Sequence, residues 1–172
     1  IFIKTFQMLR ICLRGIIKMK FSQRKKILLI KLENGYRMFL YKNKIVITGG
    51  SGRFGSELKK INNKYKIFFP NKHKLNILNL RHINKYLFKH KPKYLVHLAG
   101  LSRPMEIHEK NINRSIDLNI IGTANITKAC SNLGIKLIYF STCYVYPGRK
   151  GNYKETDPLL PHNNYSWSKL GG

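Results

Sequence analysis

The chain is short of acidic residues, of cysteine and of long apolar runs, and each shortage excludes something. Only seven Asp and Glu stand against 33 Lys and Arg, which leaves a formal net charge of +26. Three cysteines, Cys12, Cys130 and Cys143, form no CxxC pair, and an odd count is poor material for a disulfide framework. The six histidines show no metal-ligand spacing with them, so no metal is expected. That pattern fits a reducing, cytoplasmic setting. No stretch approaches the roughly 18 uninterrupted apolar residues of a spanning helix, which excludes a membrane channel or transporter. Internal repeats and low-complexity tracts are absent as well.

The charge surplus raises nucleic acid or an anionic membrane surface as a partner. It is spread along the whole chain beside many Asn and Ile, however, whereas a binding patch should be clustered. It therefore reads as compositional drift, and no specific nucleic-acid partner is expected. What remains is 43% hydrophobic and 12% aromatic over 172 residues, enough for one domain with a real core. The chain opens on Ile1 and stops at Gly171-Gly172 inside an expected helix, so it reads as a fragment incomplete at its C-terminus.

Residues 1–37 carry ten basic side chains and one acid, Glu33. Charges break every candidate signal-peptide core. A basic amphipathic or organelle-targeting segment is one reading. The plainer one is an extension outside the working domain, with the domain running over 38–172 from Met38.

From Lys44 the pattern becomes regular. Lys44–Thr48 is a β-branched run suited to a buried parallel strand. A glycine-rich turn follows, then a helix from Ser56 to Lys60. A second strand is expected over 65–69, a helix over 80–90, a strand over 94–98, a long helix over 112–133 stopped by Gly134, and a strand over 135–140. Strands alternating with helices predict an α/β fold, a Rossmann-type doubly wound parallel sheet.

Three constellations carry chemistry. Glycines 49, 52 and 55 sit between the first such strand and its helix. That is the arrangement of a dinucleotide pyrophosphate turn: Gly49 for the tight turn, Gly52 for phosphate approach, Gly55 for helix packing. Tyr165 and Lys169 lie four apart, on one face of a helix. An ammonium about 4 Å from the phenol is worth on the order of 4 kcal/mol at an effective dielectric of 20. Lys169 is therefore expected to lower the Tyr165 pKa by about 2–3. Thr142 follows a strand end, where a hydroxyl faces the ligand crevice. Taken singly, each has an ordinary reading: a glycine turn, a surface helix, a satisfied threonine.

Their order along the chain resembles the short-chain dehydrogenase/reductase superfamily in its extended, sugar-nucleotide branch, the NAD-dependent epimerase/dehydratase family. The matches are Thr48-Gly49-Gly50-Ser51-Gly52-Arg53-Phe54-Gly55, His97-Leu98-Ala99-Gly100, Asn119-Ile120-Ile121-Gly122-Thr123, Ser141-Thr142-Cys143-Tyr144-Val145 and Tyr165-Ser166-Trp167-Ser168-Lys169. Within the branch the chain is most similar to the dTDP-4-dehydrorhamnose reductases, through residues 91–100, 141–145 and 153–161.

The resemblance implies an NAD(P)-dependent oxidoreductase that reduces a 4-keto-6-deoxy sugar nucleotide. Tyr165 would donate the proton, Lys169 would hold the nicotinamide ribose, and Thr142 would polarise the carbonyl. The cofactor would lie along Gly49, Gly52, Arg53, Phe54, Gly55, Asn71, Lys72, Asn76, Ile77, Leu98, Ala99 and Gly100, reaching Tyr165 and Lys169. Thr142 and Cys143 would meet the substrate, although the family carries Asp where this chain has Cys143. Asn71-Lys72 stands where an acid would select NAD, so NADP(H) is favoured with NAD(H) open. A 4-epimerase or 4,6-dehydratase with bound NAD, and a non-catalytic basic nucleotide- or RNA-binding fragment, remain alternatives. A homodimer is expected of the full-length protein. The short chain is expected to be inactive alone, because substrate recognition in this branch follows the Tyr-x-x-x-Lys helix.

Overall fold

A computed structural model describes residues 44–60, 65–149 and 151–172, together with the backbone of the strands β1 (Leu28–Leu32) and β2 (Gly35–Phe39). The readings made of residues 1–27 lie outside the described residues. The chain divides into two units, 1–41 and 42–172. In the first, β1 and β2 pair as an antiparallel hairpin, Leu28 opposite Phe39. The boundary expected at 37/38 thus falls inside β2.

The second unit is built on four parallel strands: β3 (Lys44–Thr48), β4 (Lys66–Phe68), β5 (Tyr94–His97) and β6 (Lys136–Tyr139), in the order β4-β3-β5-β6. β3 is central, and Ile45, Val46 and Ile47 are all buried, as the uninterrupted β-branched run requires. Val46 and Leu95 are paired in register and share a face with Phe68. That face meets Ile83 and Leu87 of α2 (Leu80–His90) and Ile126, Ala129 and Cys130 of α5 (Gly122–Asn132) in one core cluster. Ile45, Ile47 and Val96 alternate to the opposite face. This is the expected α/β Rossmann-type sheet.

The helices show their sequence signals. In α2, the Asn79 side chain accepts from the His82 N–H at 3.1 Å, and the Lys91 cap at φ +46 donates to the Leu87 carbonyl at 2.8 Å before Pro92. α1 (Arg53–Lys60) begins three residues earlier than expected. A short α3 (Glu106–Lys110) was not foreseen. The single long helix expected over 112–133 is instead α4 (Ile112–Ile116), a π-helical turn (Asp117–Ile121) and α5. The physical reason is local. The Thr123 hydroxyl donates to the Asn119 carbonyl at 2.7 Å, and the Gly122 N–H reaches back five residues to Asp117.

After β6 the chain makes a 3-10 turn (Cys143–Val145) and ends in α6 (Asn164–Gly171), which packs on α4, the π turn and that 3-10 turn. Among the described residues, no helix is long and apolar enough to cross a membrane, and no cluster of His, Cys, Asp and Glu is placed to hold a metal.

Candidate active site

In this sheet β4 lies on one side of β3 and β5 on the other, so the strand order reverses between β3 and β5. A ligand crevice belongs at their carboxyl ends. A cleft of about 730 Å³ opens there. Its wall includes Gly49, Gly52, Arg53, Phe54 and Gly55 from the first turn and Asn71, Lys72, Asn76 and Ile77 after β4. Leu98, Ala99 and Gly100 after β5 complete it.

The glycine loop is packed tightly. Gly49 has φ +70, and a Cβ there would stand 2.7 Å from the Ala99 nitrogen and the Leu98 carbonyl carbon. A Cβ on Gly55 would stand 2.5 Å from the Gly49 oxygen and 2.6 Å from the Gly50 Cα. Gly52 differs, since its Cβ would meet only the Gly49 oxygen at 3.2 Å. The amino end of α1 has no acidic residue in its first turn, and its first three residues line the cleft, as suits an anion. With Arg53 and Lys72 on the wall and no carboxylate in it, the cleft suits a dinucleotide phosphate.

The strand ends are tied by a network not anticipated from sequence. Thr48 Oγ1 accepts from the Leu98 and Ala99 N–H groups at 3.2 Å each, and lies 2.7 Å from His97 Nδ1. Its one hydrogen therefore goes to Nδ1. His97 Nε2 lies 3.3 Å from Thr123 Oγ1, whose hydrogen is committed to the Asn119 carbonyl. His97 is thus the neutral Nε2–H tautomer. Burial, with Lys169 nearby, holds its pKa down at about 4. His97, Asn119 and Thr123 sat inside the family-like motifs, which was the available signal. Ser51, His73 and Ser102 also line the cleft without having been singled out.

Tyr165, Lys169, Thr142 and Cys143 stand outside that lining. α6 is held by a capping box: Asn163 Oδ1 accepts from the Ser166 N–H at 2.9 Å, and the Ser166 hydroxyl accepts from the Asn163 N–H at 3.1 Å. Tyr165 and Thr142 come together. Burial pushes the Tyr165 phenol above its ordinary value, against a lowering hydrogen bond from Thr142 and the charge of Arg103. Cys143 is exposed on the neighbouring turn.

The expected effect of Lys169 on Tyr165 is corrected here. The Lys169 ammonium lies 4.1 Å from the centroid of the Tyr139 ring, across the β6–α6 contact, and burial moves the Tyr165 phenol up rather than down. Burial lowers Lys169 to about 8. Helical spacing put both residues on one helix, but a side chain as long as lysine takes its position from the tertiary surroundings.

The profile of the family described as the RmlD substrate binding domain matches residues 43–172. A curated relative, methionine adenosyltransferase 2 subunit beta of Bos taurus, is 27% identical over 75% of this chain and 41% of its own length. The dTDP-4-dehydrorhamnose reductase of Aggregatibacter actinomycetemcomitans is also 27% identical, over 75% of this chain and 45% of its own. Among solved structures, the dTDP-4-dehydrorhamnose reductase of Bacillus anthracis in complex with NADP superposes with a TM-score of 0.72 at 30% identity. It covers 76% of this chain and 47% of that one. The chain spans less than half the length of each.

Proposed function

Because the chain belongs to the family of the RmlD substrate binding domain, we propose that it forms the cofactor-binding part of an NADPH-dependent reductase of 4-keto-6-deoxy sugar nucleotides. The observation that carries this reading is the glycine-packed cleft at the β3–β5 switch point, with cationic side chains on its wall. The NADP named in the similar Bacillus anthracis structure supports the cofactor.

Gly49, Gly52 and Gly55 would let the backbone approach the pyrophosphate, and Lys72 would meet a 2′-phosphate beside Asn71. When bound, the nicotinamide supplies the hydride. Tyr165 is the proton donor to the oxygen that becomes a hydroxyl. Like any tyrosine it is protonated at neutral pH, the form a donor needs. Thr142 orients that phenol and would polarise the substrate carbonyl. Lys169 would hold the nicotinamide ribose.

Fluorescence titration of the chain with NADPH and NADH is the test. Saturable binding, tighter for NADPH, is expected, and no binding of either would overturn the reading. A second reading has the same fold serving as a subunit of a methionine adenosyltransferase assembly. It is favoured by the name of the Bos taurus relative and by exposed Cys143 standing where the reductases carry an acid. Co-elution with a methionine adenosyltransferase, without sugar-nucleotide turnover in a protein extended to its relatives' length, would select it.

A further inference from the structure

Lys169 is a half-buried ammonium without a carboxylate. The ion pairs among the described residues are Lys60–Glu57 and Lys110–Glu106, both far along the chain from it. A buried cation needs compensation, and the group that meets it is an aromatic ring. Its Nζ stands 4.1 Å from the Tyr139 centroid, the shortest ammonium-to-ring approach recorded among the described residues. The ring is fixed in place, because the Tyr139 hydroxyl donates to the Lys169 backbone carbonyl at 3.2 Å. Tyr139 also stacks with His97, centroids 6.0 Å apart. Burial keeps that histidine neutral, with the Thr48 hydroxyl donating to Nδ1, so the imidazole adds no second positive charge.

We propose that the Tyr139 ring is the electrostatic seat of Lys169, a positioning residue whose π face keeps the ammonium charged and aimed within the β6–α6 contact. Tyr139 on β6 and His97 on β5 are the titratable groups recorded against the ammonium, and both are neutral at pH 7. The negative face of a neutral ring is then the main electrostatic compensation for the cation. Lys169 matters to the site through the function proposed above, and to that extent this inference rests on that reading.

Side-chain NMR of Lys169 in the full chain, without added cofactor and assigned with Lys169→Met, reads the seat directly. The wild-type midpoint should lie at about 8. In Tyr139→Leu it should fall by about 0.4 to 1.5 pH units, the equivalent of a cation–π contact. Tyr139→Phe keeps the ring and should titrate near the wild type. Placing increasingly fluorinated phenylalanines at 139 keeps the shape while draining the ring face, and should lower the midpoint stepwise. A midpoint that is unchanged or raised in Tyr139→Leu, indifferent to fluorination, or lowered as far by Tyr139→Phe would overturn the seat. The dependence of NADPH affinity on pH should move with the same midpoint. Absence of NADPH binding would sink the reductase reading while the NMR titration still judged the seat.

Discussion

Asn119 grips Leu101 by both of its backbone groups. Its Nδ2 donates to the Leu101 carbonyl at 2.8 Å and its Oδ1 accepts from the Leu101 N–H at 2.7 Å, while Nδ2 also donates to Ser168 Oγ at 2.9 Å. One buried amide in the π turn therefore ties the segment after β5 to α6. Asn119→Ala leaves the Leu101 groups unsatisfied in a buried setting. It should cost about 3 kcal/mol, read from urea unfolding. A loss under about 1 kcal/mol would mean that water or a neighbour replaces the amide.

The three glycines should separate by mutation. Gly49→Ala and Gly55→Ala drive a Cβ into backbone atoms closer than 3 Å, and should destabilise the domain by roughly 2 kcal/mol or more. Gly52→Ala meets one oxygen at 3.2 Å, so it should leave unfolding nearly unchanged and weaken NADPH binding instead. Paired unfolding and NADPH titrations check the split.

Lys72 is exposed beside Asn71, on the cleft wall where the second parallel strand ends. If it meets a 2′-phosphate, Lys72→Ala should weaken NADPH by about tenfold or more, the worth of a hydrogen bond to a charged group. NADH affinity should not move. A preference for NADH that survives the substitution would reverse the cofactor assignment.

His97 makes stability depend on pH. Its folded pKa of about 4 lies below the ordinary 6.5, so only the unfolded chain takes up this proton as pH falls from 6.5. Stability is whole above pH 6.5 and is lost progressively down to about pH 4, by ~3 kcal/mol in all. Urea unfolding between pH 4.5 and 7 should show this slope, and His97→Gln should flatten it.

The capping box sets how firmly α6 begins. Asn163→Ala removes an acceptor for the Ser166 N–H and should cost about 1 kcal/mol. Because Tyr165 sits in the first turn of that helix, amide exchange at 165–168 should accelerate more than in α2.

Much of this protein is written locally. The β-branched run at 44–48, the helix over 80–90 and the glycine turn each depend on neighbours a few residues away, so periodicity and turn chemistry reveal them. The order of the motifs likewise pointed to the family and to the fold. The π turn went unseen because a single side-chain hydroxyl, Thr123, diverts a carbonyl that a helical pattern assigns to the backbone. The destinations of buried polar groups were settled only by the tertiary structure. Thr48 meets His97 from 49 residues away, Asn119 meets Ser168 from 49, and the Tyr139 hydroxyl meets the Lys169 carbonyl from 30. The spacing of Tyr165 and Lys169 fixed a shared helix but not where the ammonium lies, because a desolvated charge is positioned by whatever the fold brings within a few ångströms. Here that is the face of Tyr139.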